Sequence, residues 1–249
     1  MLTYSFSFNI DNSIKIWYNI RVKNESLVKN MEPKFSMTQE ENIFLAKRNI
    51  VDYIWKSANL EGIEVTYPDT QAIYNGISVD GYSIEDINAV NDLKHAWQYL
   101  LAHINDELNL EFIKNVHRLL GKFTVINAGA VRRDEVHIGG TDWTPEIPDE
   151  SDIEKIISDI IQNEAQALDK ALDITLYIMR TQMFLDGNKR IAMLVGNKIM
   201  IENGQGIITV AQKDIKEFYN LLVKYYETDD KSAIKRFLYD NCIDGMNFS

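Results

Sequence analysis

From residue 38 onward, apolar residues recur at the spacing of an α-helix. Ile43, Ala46, Ile50 and Ile54 form the first such stripe, since residues three and four apart share one face of a helix. We expect this helix to end near Gly62, because glycine easily takes the left-handed conformation that often follows a helix. Further helices are predicted at about residues 69–76, 83–103, 109–120, 151–167, 168–183, 187–203, 212–226 and 230–241. The pattern indicates a mainly α fold.

The first 20 residues follow a different pattern, in which apolar and polar residues alternate. The apolar positions are Leu2, Tyr4, Phe6, Phe8 and Ile10, then Ile14, Ile16, Tyr18 and Ile20. Turn-forming residues at 11–13 separate the two runs, so the pattern predicts an N-terminal β-hairpin. Residues 21–37 are polar and contain Pro33, which is typical of a linker. We therefore divide the chain into a hairpin and linker at residues 1–37 and a helical domain at residues 38–249.

Residues 122–149 form a long non-helical stretch inside the helical part of the chain. Residues 135–138 are typical of a short strand, and Gly139 and Gly140 can turn the chain back. We expect a β-hairpin near residues 135–143. An exposed strand edge can bind an extended peptide through its main chain, and a simple surface hairpin is the alternative.

The composition narrows the choice of partners and location. The chain has 249 residues, of which 45% are hydrophobic and 25% are charged, as in ordinary globular proteins. Its net charge of −11 argues against nucleic-acid binding, which favours a basic surface. The single cysteine, Cys242, cannot form an internal disulfide. No apolar run reaches ~18 residues, so we expect no membrane segment and a cytoplasmic location.

The candidate chemistry lies at residues 182–190, between two apolar helical runs. Asp186, Gly187, Asn188, Lys189 and Arg190 follow one another there. The glycine permits a tight turn, and the N–H groups that open the next helix attract anions. The two cations can add charge-assisted hydrogen bonds. This pattern favours a phosphate site, and the alternative is a plain helix start in which Asp186 is the N-cap.

These residues resemble the Fic (Fido-domain) family, whose signature reads His-Pro-Phe-x-(Asp/Glu)-Gly-Asn-(Gly/Lys)-Arg-x-x-Arg. The chain matches it at Phe184, Asp186, Gly187, Asn188, Lys189 and Arg190. It departs at Gln182, Met183 and Met193, which stand where the family has histidine, proline and a second arginine.

Two further stretches carry the same resemblance, in the family's usual order. Ser57-Ala58-Asn59-Leu60-Glu61-Gly62 is similar to the inhibitory motif Ser/Thr-x-x-x-Glu-Gly/Asn. Val136-His137-Ile138-Gly139-Gly140-Thr141 resembles the flap strand that positions a target peptide. The resemblance covers about residues 38–205. It implies a Fic/Fido helical core with an inhibitory helix and a β-hairpin flap, to which the alternating pattern adds the N-terminal β-hairpin.

The resemblance implies transfer of AMP, or of a related phosphate-containing group, from a nucleotide to a hydroxyl of a target protein. ATP or another nucleotide and Mg²⁺ are the cofactors that it implies, and a homodimer is an assembly that we leave open. The implied residues are Gly187, Asn188, Lys189 and Arg190 for phosphate, Asp186 for the metal, Ile138, Gly139 and Gly140 for the target, and Ser57, Glu61 and Gly62 for inhibition.

The histidine that Gln182 replaces takes the proton from the attacking hydroxyl in this family. An amide has no usable basic site near neutral pH, and general-base help is typically worth ~10²–10⁴-fold. We therefore expect a nucleotide-binding Fic protein that is inactive or weak in AMP transfer. An active transferase with an unorthodox base is one alternative, and a helical protein-interaction module without a nucleotide is another.

The inhibitory glutamate of the family pairs with the second motif arginine, which is Met193 here. Glu61 therefore has two options. It can pair with Lys189 or Arg190 and compete with phosphate, which we favour, or it can serve only as a helix end beside Gly62.

Overall fold

The computed structural model describes residues 31–247 of the chain. The hairpin predicted at residues 1–20 lies outside the described residues, and the division at residue 37/38 stays a prediction. From Glu32 onward the described residues belong to one compact unit. All the candidate site residues lie in this unit.

The unit is built mainly from helices, which confirms the predicted fold class. In chain order they are α1 (Gln39–Arg48), α2 (Ile50–Leu60), α3 (Tyr67–Tyr74), α4 (Ile84–Ala102), α5 (Leu110–Leu120), α6 (Glu150–Gln162), α7 (Ala167–Thr181), α8 (Asn188–Glu202), α9 (Ile215–Thr228) and α10 (Ser232–Asn241). A short 3-10 helix (Gln212–Asp214) precedes α9, and β1 (Ile207–Ile208) pairs antiparallel with β2 (Ile243–Asp244). Within residues 31–247, no helix is long and apolar enough to cross a membrane.

The stripe predicted as one helix up to Gly62 is divided into α1 and α2. Asn49, with φ −105° and ψ 12°, leaves the helical conformation between them. Ala46 and Ile54 are both fully buried on either side of the break, so the hydrophobic spacing continues across it and does not reveal it. Gly62 follows the end of α2 in the left-handed conformation, with φ 81°, as expected.

The helices α7 and α8 pack closely against each other and hold the motif loop between them. Thirteen of the fifteen residues of α8 are buried. A Cβ atom on Gly196 would overlap with Oγ1 of Thr175 in α7, so the glycine allows the close approach. The loop at residues 182–187 is therefore anchored at both ends on buried helices.

Candidate functional site

The motif loop, residues 182–187, begins and ends with a left-handed residue. Gln182 follows α7 with φ 50° and ψ 58°, and its N–H donates to the carbonyl oxygen of Ile178. This conformation is uncommon outside glycine, and here the Gln182 side chain supports it, since its Nε2 donates to the Met179 carbonyl oxygen at 2.6 Å. Gly187, with φ 79°, is the N-cap of α8. The two residues fold the loop into a compact turn.

The first turn of α8 presents donors and positive charge. The N–H groups that open a helix have no partner within it. The N-cap residue of α8 is Gly187, which has no side chain that could bond to them. The turn holds no acidic residue, whereas Lys189 and Arg190 both lie in it, with side chains 25% and 6% exposed. The alternative in which Asp186 is the N-cap is wrong, because Gly187 takes that position. Backbone donors, helix dipole and two cations are therefore combined in one turn.

The Asn188 side chain braces the motif loop from inside. Its Oδ1 accepts the Phe184 N–H at 2.9 Å, and its Nδ2 donates to the Phe184 carbonyl oxygen at 2.8 Å and to Gln182 Oε1 at 3.1 Å. The sequence suggested that this amide contacts phosphate. In the structure it is committed to the loop, because the buried backbone groups of Phe184 need partners. Only the backbone N–H of Asn188 lies in the open first turn.

The side chain of Gln182, the first residue of the motif loop, contacts a tyrosine of α9. Its Nε2 lies 3.5 Å from the hydroxyl oxygen of Tyr226 in α9. Burial raises the pKa of Tyr226 far above its usual value. The hydroxyl therefore keeps its proton near neutral pH, and neither group can accept a proton from a substrate hydroxyl.

Glu61, at the end of α2, reaches the cations of α8. Its Oε2 lies 3.3 Å from Lys189 Nζ, and its Oε1 lies 3.9 Å from Arg190 Nε. Burial disfavours the charge on Lys189, but the Glu61 carboxylate and, to a lesser extent, Tyr219 together outweigh it, so that the pKa of Lys189 is raised. The structure thus shows the ion pair of the first option for Glu61, and competition with phosphate stays a prediction. Ser57, one turn earlier, lines a small cavity, and Met193 is another of its lining residues.

Asp186 offers one exposed carboxylate beside the anion-binding turn. Its side chain is 63% exposed, and its Oδ2 lies 3.1 Å from Arg190 Nη2. Magnesium commonly binds one or two carboxylates together with substrate phosphates and water. Asp186 fits that mode. Among residues 31–247 there is no group of three or more side chains able to hold a metal, so phosphate oxygens would have to supply further ligands.

Arg132, 2% exposed, ties the loop after it to the motif loop. Its Nε donates to the Gln182 carbonyl oxygen at 2.6 Å, its Nη1 to that of Asp134 at 2.8 Å, and its Nη2 to that of Glu146 at 2.6 Å. Its backbone N–H also donates to the Met183 carbonyl oxygen at 2.9 Å. Burial lowers the pKa of the guanidinium, and the carbonyls at the negative end of α7 offset its charge.

Residues 133–146, which we name the flap loop, turn where the sequence predicted but do not form a hairpin. Gly140 has φ 86° at the predicted turn. Within the described chain no backbone–backbone hydrogen bond involves these residues, and none of them is in a strand. The predicted hairpin is therefore wrong as secondary structure, because Arg132 joins the two ends of the loop in place of a strand ladder. Ile138 is half-buried, and Gly139 and Gly140 are exposed.

The flap loop rests on α9 through an aromatic stack. The rings of Trp143 and Tyr226 are 5.4 Å apart and 15° from parallel. The Arg180 guanidinium lies 4.7 Å from the Trp143 ring, and the Thr141 hydroxyl donates to Glu227 Oε1 at 2.9 Å. These contacts fix the far side of the loop close to Gln182.

Sequence reasoning did not assign His117, Arg132 or Tyr226 to the site. His117 lies in the apolar stripe of α5 and looks like a packing residue, yet its Nε2 is 2.9 Å from the Asp186 carbonyl oxygen. Arg132 had a usable signal, since an arginine in a long loop rich in glycine and proline suggests a role in holding that loop. Tyr226 had none, because its spacing is that of an ordinary core residue.

Residues 107–200 match the model of the Fic/DOC family. This segment contains α5, the flap loop and the motif loop. The chain is also 26% identical, over 204 residues, to the protein adenylyltransferase Fic of Aedes aegypti. That alignment covers 78% of this chain and 40% of the relative. The chain thus spans about two fifths of the length of the curated relatives it matches.

Two solved structures share the fold. The fragment of Fic-1 of Caenorhabditis elegans that spans its residues 134–508 superposes with a TM-score of 0.70 at 21% identity, over 92% of this chain and 70% of that one. A Fic-domain signalling protein from Bacteroides thetaiotaomicron gives a TM-score of 0.67 at 17% identity, over 89% of each chain. At these identities the similarity shows the fold alone.

Proposed function

We propose that this chain, which belongs to the Fic family, binds the phosphates of a nucleotide at the start of α8 and is inactive or weak in AMP transfer. One observation carries the proposal. The uncapped first turn of the buried helix α8 holds Lys189 and Arg190, and the Glu61 carboxylate already lies against both cations. A site that attracts one anion can accept another.

In this proposal the phosphates contact the backbone N–H groups of residues 187–190 and the side chains of Lys189 and Arg190. Arg190 contributes most, since a guanidinium can make two parallel hydrogen bonds to a phosphate. The Asn188 side chain keeps the loop in shape instead of touching the ligand. Relatives named protein adenylyltransferases support ATP as the nucleotide.

Asp186 would hold Mg²⁺ together with the phosphates. The ion would neutralise phosphate charge and fix the orientation of the polyphosphate. Asp186 Oδ2 pairs with Arg190, which leaves Oδ1 of this exposed side chain for the ion. One carboxylate oxygen is a weak site alone, so phosphate oxygens would have to supply further ligands. Metal and nucleotide are therefore expected to bind together.

AMP transfer to a protein hydroxyl requires that the hydroxyl lose its proton, and Gln182 cannot accept it. The site keeps positioning and electrostatic stabilisation, which are often the larger contributions to catalysis. We infer that any remaining activity is lower by the ~10²–10⁴-fold that a positioned base provides. A transferase with an unorthodox base finds no support near Gln182, because the pKa of Tyr226 is raised by burial.

The flap loop is the proposed contact for a target protein. Its main-chain groups at Ile138, Gly139 and Gly140 make no backbone–backbone hydrogen bonds to other described residues. An extended segment of a target can pair with such groups as an added strand. Arg132 fixes the ends of the loop to Gln182, which would bring a bound target chain close to the motif loop.

Glu61 is proposed to inhibit nucleotide binding by competing for Lys189 and Arg190. Its replacement by glutamine removes the charge and keeps the size. A carboxylate beside a triphosphate in a partly buried site costs ~1–3 kcal/mol of binding. We therefore expect Glu61→Gln to bind ATP about 5–150-fold more tightly than the wild type, measured by calorimetry with Mg²⁺.

Glu64→Gln is the matched control, because Glu64 is exposed on the same connection and should not change the affinity. Equal ATP affinity in wild type and Glu61→Gln would show that Glu61 does not regulate the site. If neither protein binds any nucleotide, the chain is a helical interaction module instead. Incubation with labelled ATP and a cell lysate then distinguishes a silent nucleotide binder from a transferase.

A further inference from the structure

His117 is a buried histidine that contacts the motif loop. It lies on the inner face of α5 with no exposed area. Its ring stacks on that of Phe184, with centroids 3.7 Å apart and planes 7° from parallel. The stack places both ring nitrogens beside backbone groups of two different loops.

The two nitrogens have opposite hydrogen-bonding roles. The Gly129 N–H donates to Nδ1 at 2.8 Å, so Nδ1 is an acceptor and carries no proton. In the neutral ring the proton is then on Nε2, which donates to the Asp186 carbonyl oxygen at 2.9 Å. Burial lowers the pKa of His117 to about 4, which keeps the ring neutral and this tautomer intact near neutral pH.

The bond to Asp186 fixes the orientation of one peptide group in the motif loop. A peptide unit is planar and trans, so a carbonyl directed at His117 sends the N–H of Gly187 in the opposite direction. Gly187 is also confined, since a Cβ there would lie 3.3 Å from His117 Nε2 and 3.6 Å from Arg190 Nη2. The start of α8 is thus held between the histidine and the arginine.

We propose that His117 is a positioning residue for the phosphate site, which orients the Asp186–Gly187 peptide so that the N–H groups opening α8 face the ligand. The inference rests on the proposed nucleotide site. His117 touches no ligand itself. A role in packing alone would require the stack with Phe184 but not the donor at Nε2.

Two substitutions separate these roles. Asparagine can offer an acceptor close to the position of Nδ1 but does not reach Asp186. Glutamine is one bond longer and can place an N–H donor near the position of Nε2. Both lose the stack, so a packing role predicts the same behaviour for His117→Asn and His117→Gln.

We expect His117→Asn to weaken ATP binding about 3–10-fold, the value of one hydrogen bond, and to leave adenosine binding unchanged. His117→Gln should stay within about twofold of the wild type for ATP. The Kd of the full chain is measured for ATP and for adenosine, with the unfolding temperature as a check on folding. His103→Asn is the control, since the half-exposed His103 pairs with Asp106 and stacks on Tyr99, neither of which belongs to the proposed site.

Equal ATP-to-adenosine ratios in wild type, His117→Asn and His117→Gln would overturn this inference and leave the proposed function standing. A wild type that binds no ATP would overturn both. If the variants do not fold, ¹⁵N NMR of the wild type decides the matter, because the inference requires the proton on Nε2 of His117. A ring protonated on Nδ1 would overturn it.

Discussion

Replacement of Arg132 by methionine tests how the flap loop is held at the site. The guanidinium makes three hydrogen bonds under 3.0 Å, to the carbonyl oxygens of Gln182, Asp134 and Glu146. Each bond from a charged donor contributes ~1.5–3 kcal/mol, so their loss costs ~4.5–9 kcal/mol before compensation. Removal of a buried charge recovers several kcal/mol of desolvation. We expect a net loss of ~2–4 kcal/mol in the free energy of unfolding.

The free energy is measured by urea unfolding, and the freedom of the loop by limited proteolysis between residues 133 and 146. Released loop ends should make cleavage there much faster in Arg132→Met, since proteases cut segments that open locally. Arg133→Met is the matched control, because Arg133 is the exposed neighbour. A loss under about 1 kcal/mol with unchanged cleavage would refute the view that Arg132 holds the flap loop.

Three further outcomes are expected. The pKa of His117 is lowered from 6.5 to about 4 in the folded protein, so that, as the pH falls, the imidazole is protonated in the unfolded chain before it is protonated in the folded one. The contribution of His117 to stability should therefore fall by up to ~1.4 kcal/mol per pH unit from pH 6.5 down to about 4, and urea unfolding of His117→Phe should show a pH slope smaller by that amount. Lys235→Met removes a buried cation 3.0 and 2.8 Å from two carboxylates of α7, Asp169 and Asp173, and should cost ~3–5 kcal/mol. Lys231→Met removes a half-exposed cation that also pairs with Asp173, at 3.0 Å, and should cost under ~1 kcal/mol. Gln182→His should raise labelled product ~10²–10⁴-fold if only the base is missing.

The helical core could be predicted because hydrophobic spacing and helix stop signals act locally. Gly62 and Gly187 both adopt the positive φ that the sequence suggested for a helix end and a helix start. The break at Asn49 could not be predicted, since the buried stripe continues on both sides of it. The prediction of a β-hairpin in the flap loop was wrong for a different reason. Arg132 replaces the strand ladder by long-range hydrogen bonds, which no local pattern contains.

The motif predicted which residues gather at the start of α8 but not what each side chain does. Lys189 and Arg190 lie together with Glu61, as the sequence suggested. The Asn188 amide points inward and bonds the backbone N–H and carbonyl of Phe184. These backbone groups need a hydrogen-bond partner only because folding buries the loop, which the sequence pattern does not show. His117 is separated from Asp186 by 69 positions along the chain, and only the packing of α5 against the motif loop brings them together.

The proposed phosphate site is tested most directly by the affinity of ATP for Arg190→Ala, measured by calorimetry with Mg²⁺. Loss of the charge-assisted hydrogen bonds should weaken binding by ~1.5–3 kcal/mol, or about 10–150-fold. Arg236→Ala is the control, because Arg236 is 65% exposed and pairs with Asp240 away from the motif. A folded Arg190→Ala protein that binds ATP as tightly as the wild type would contradict the site.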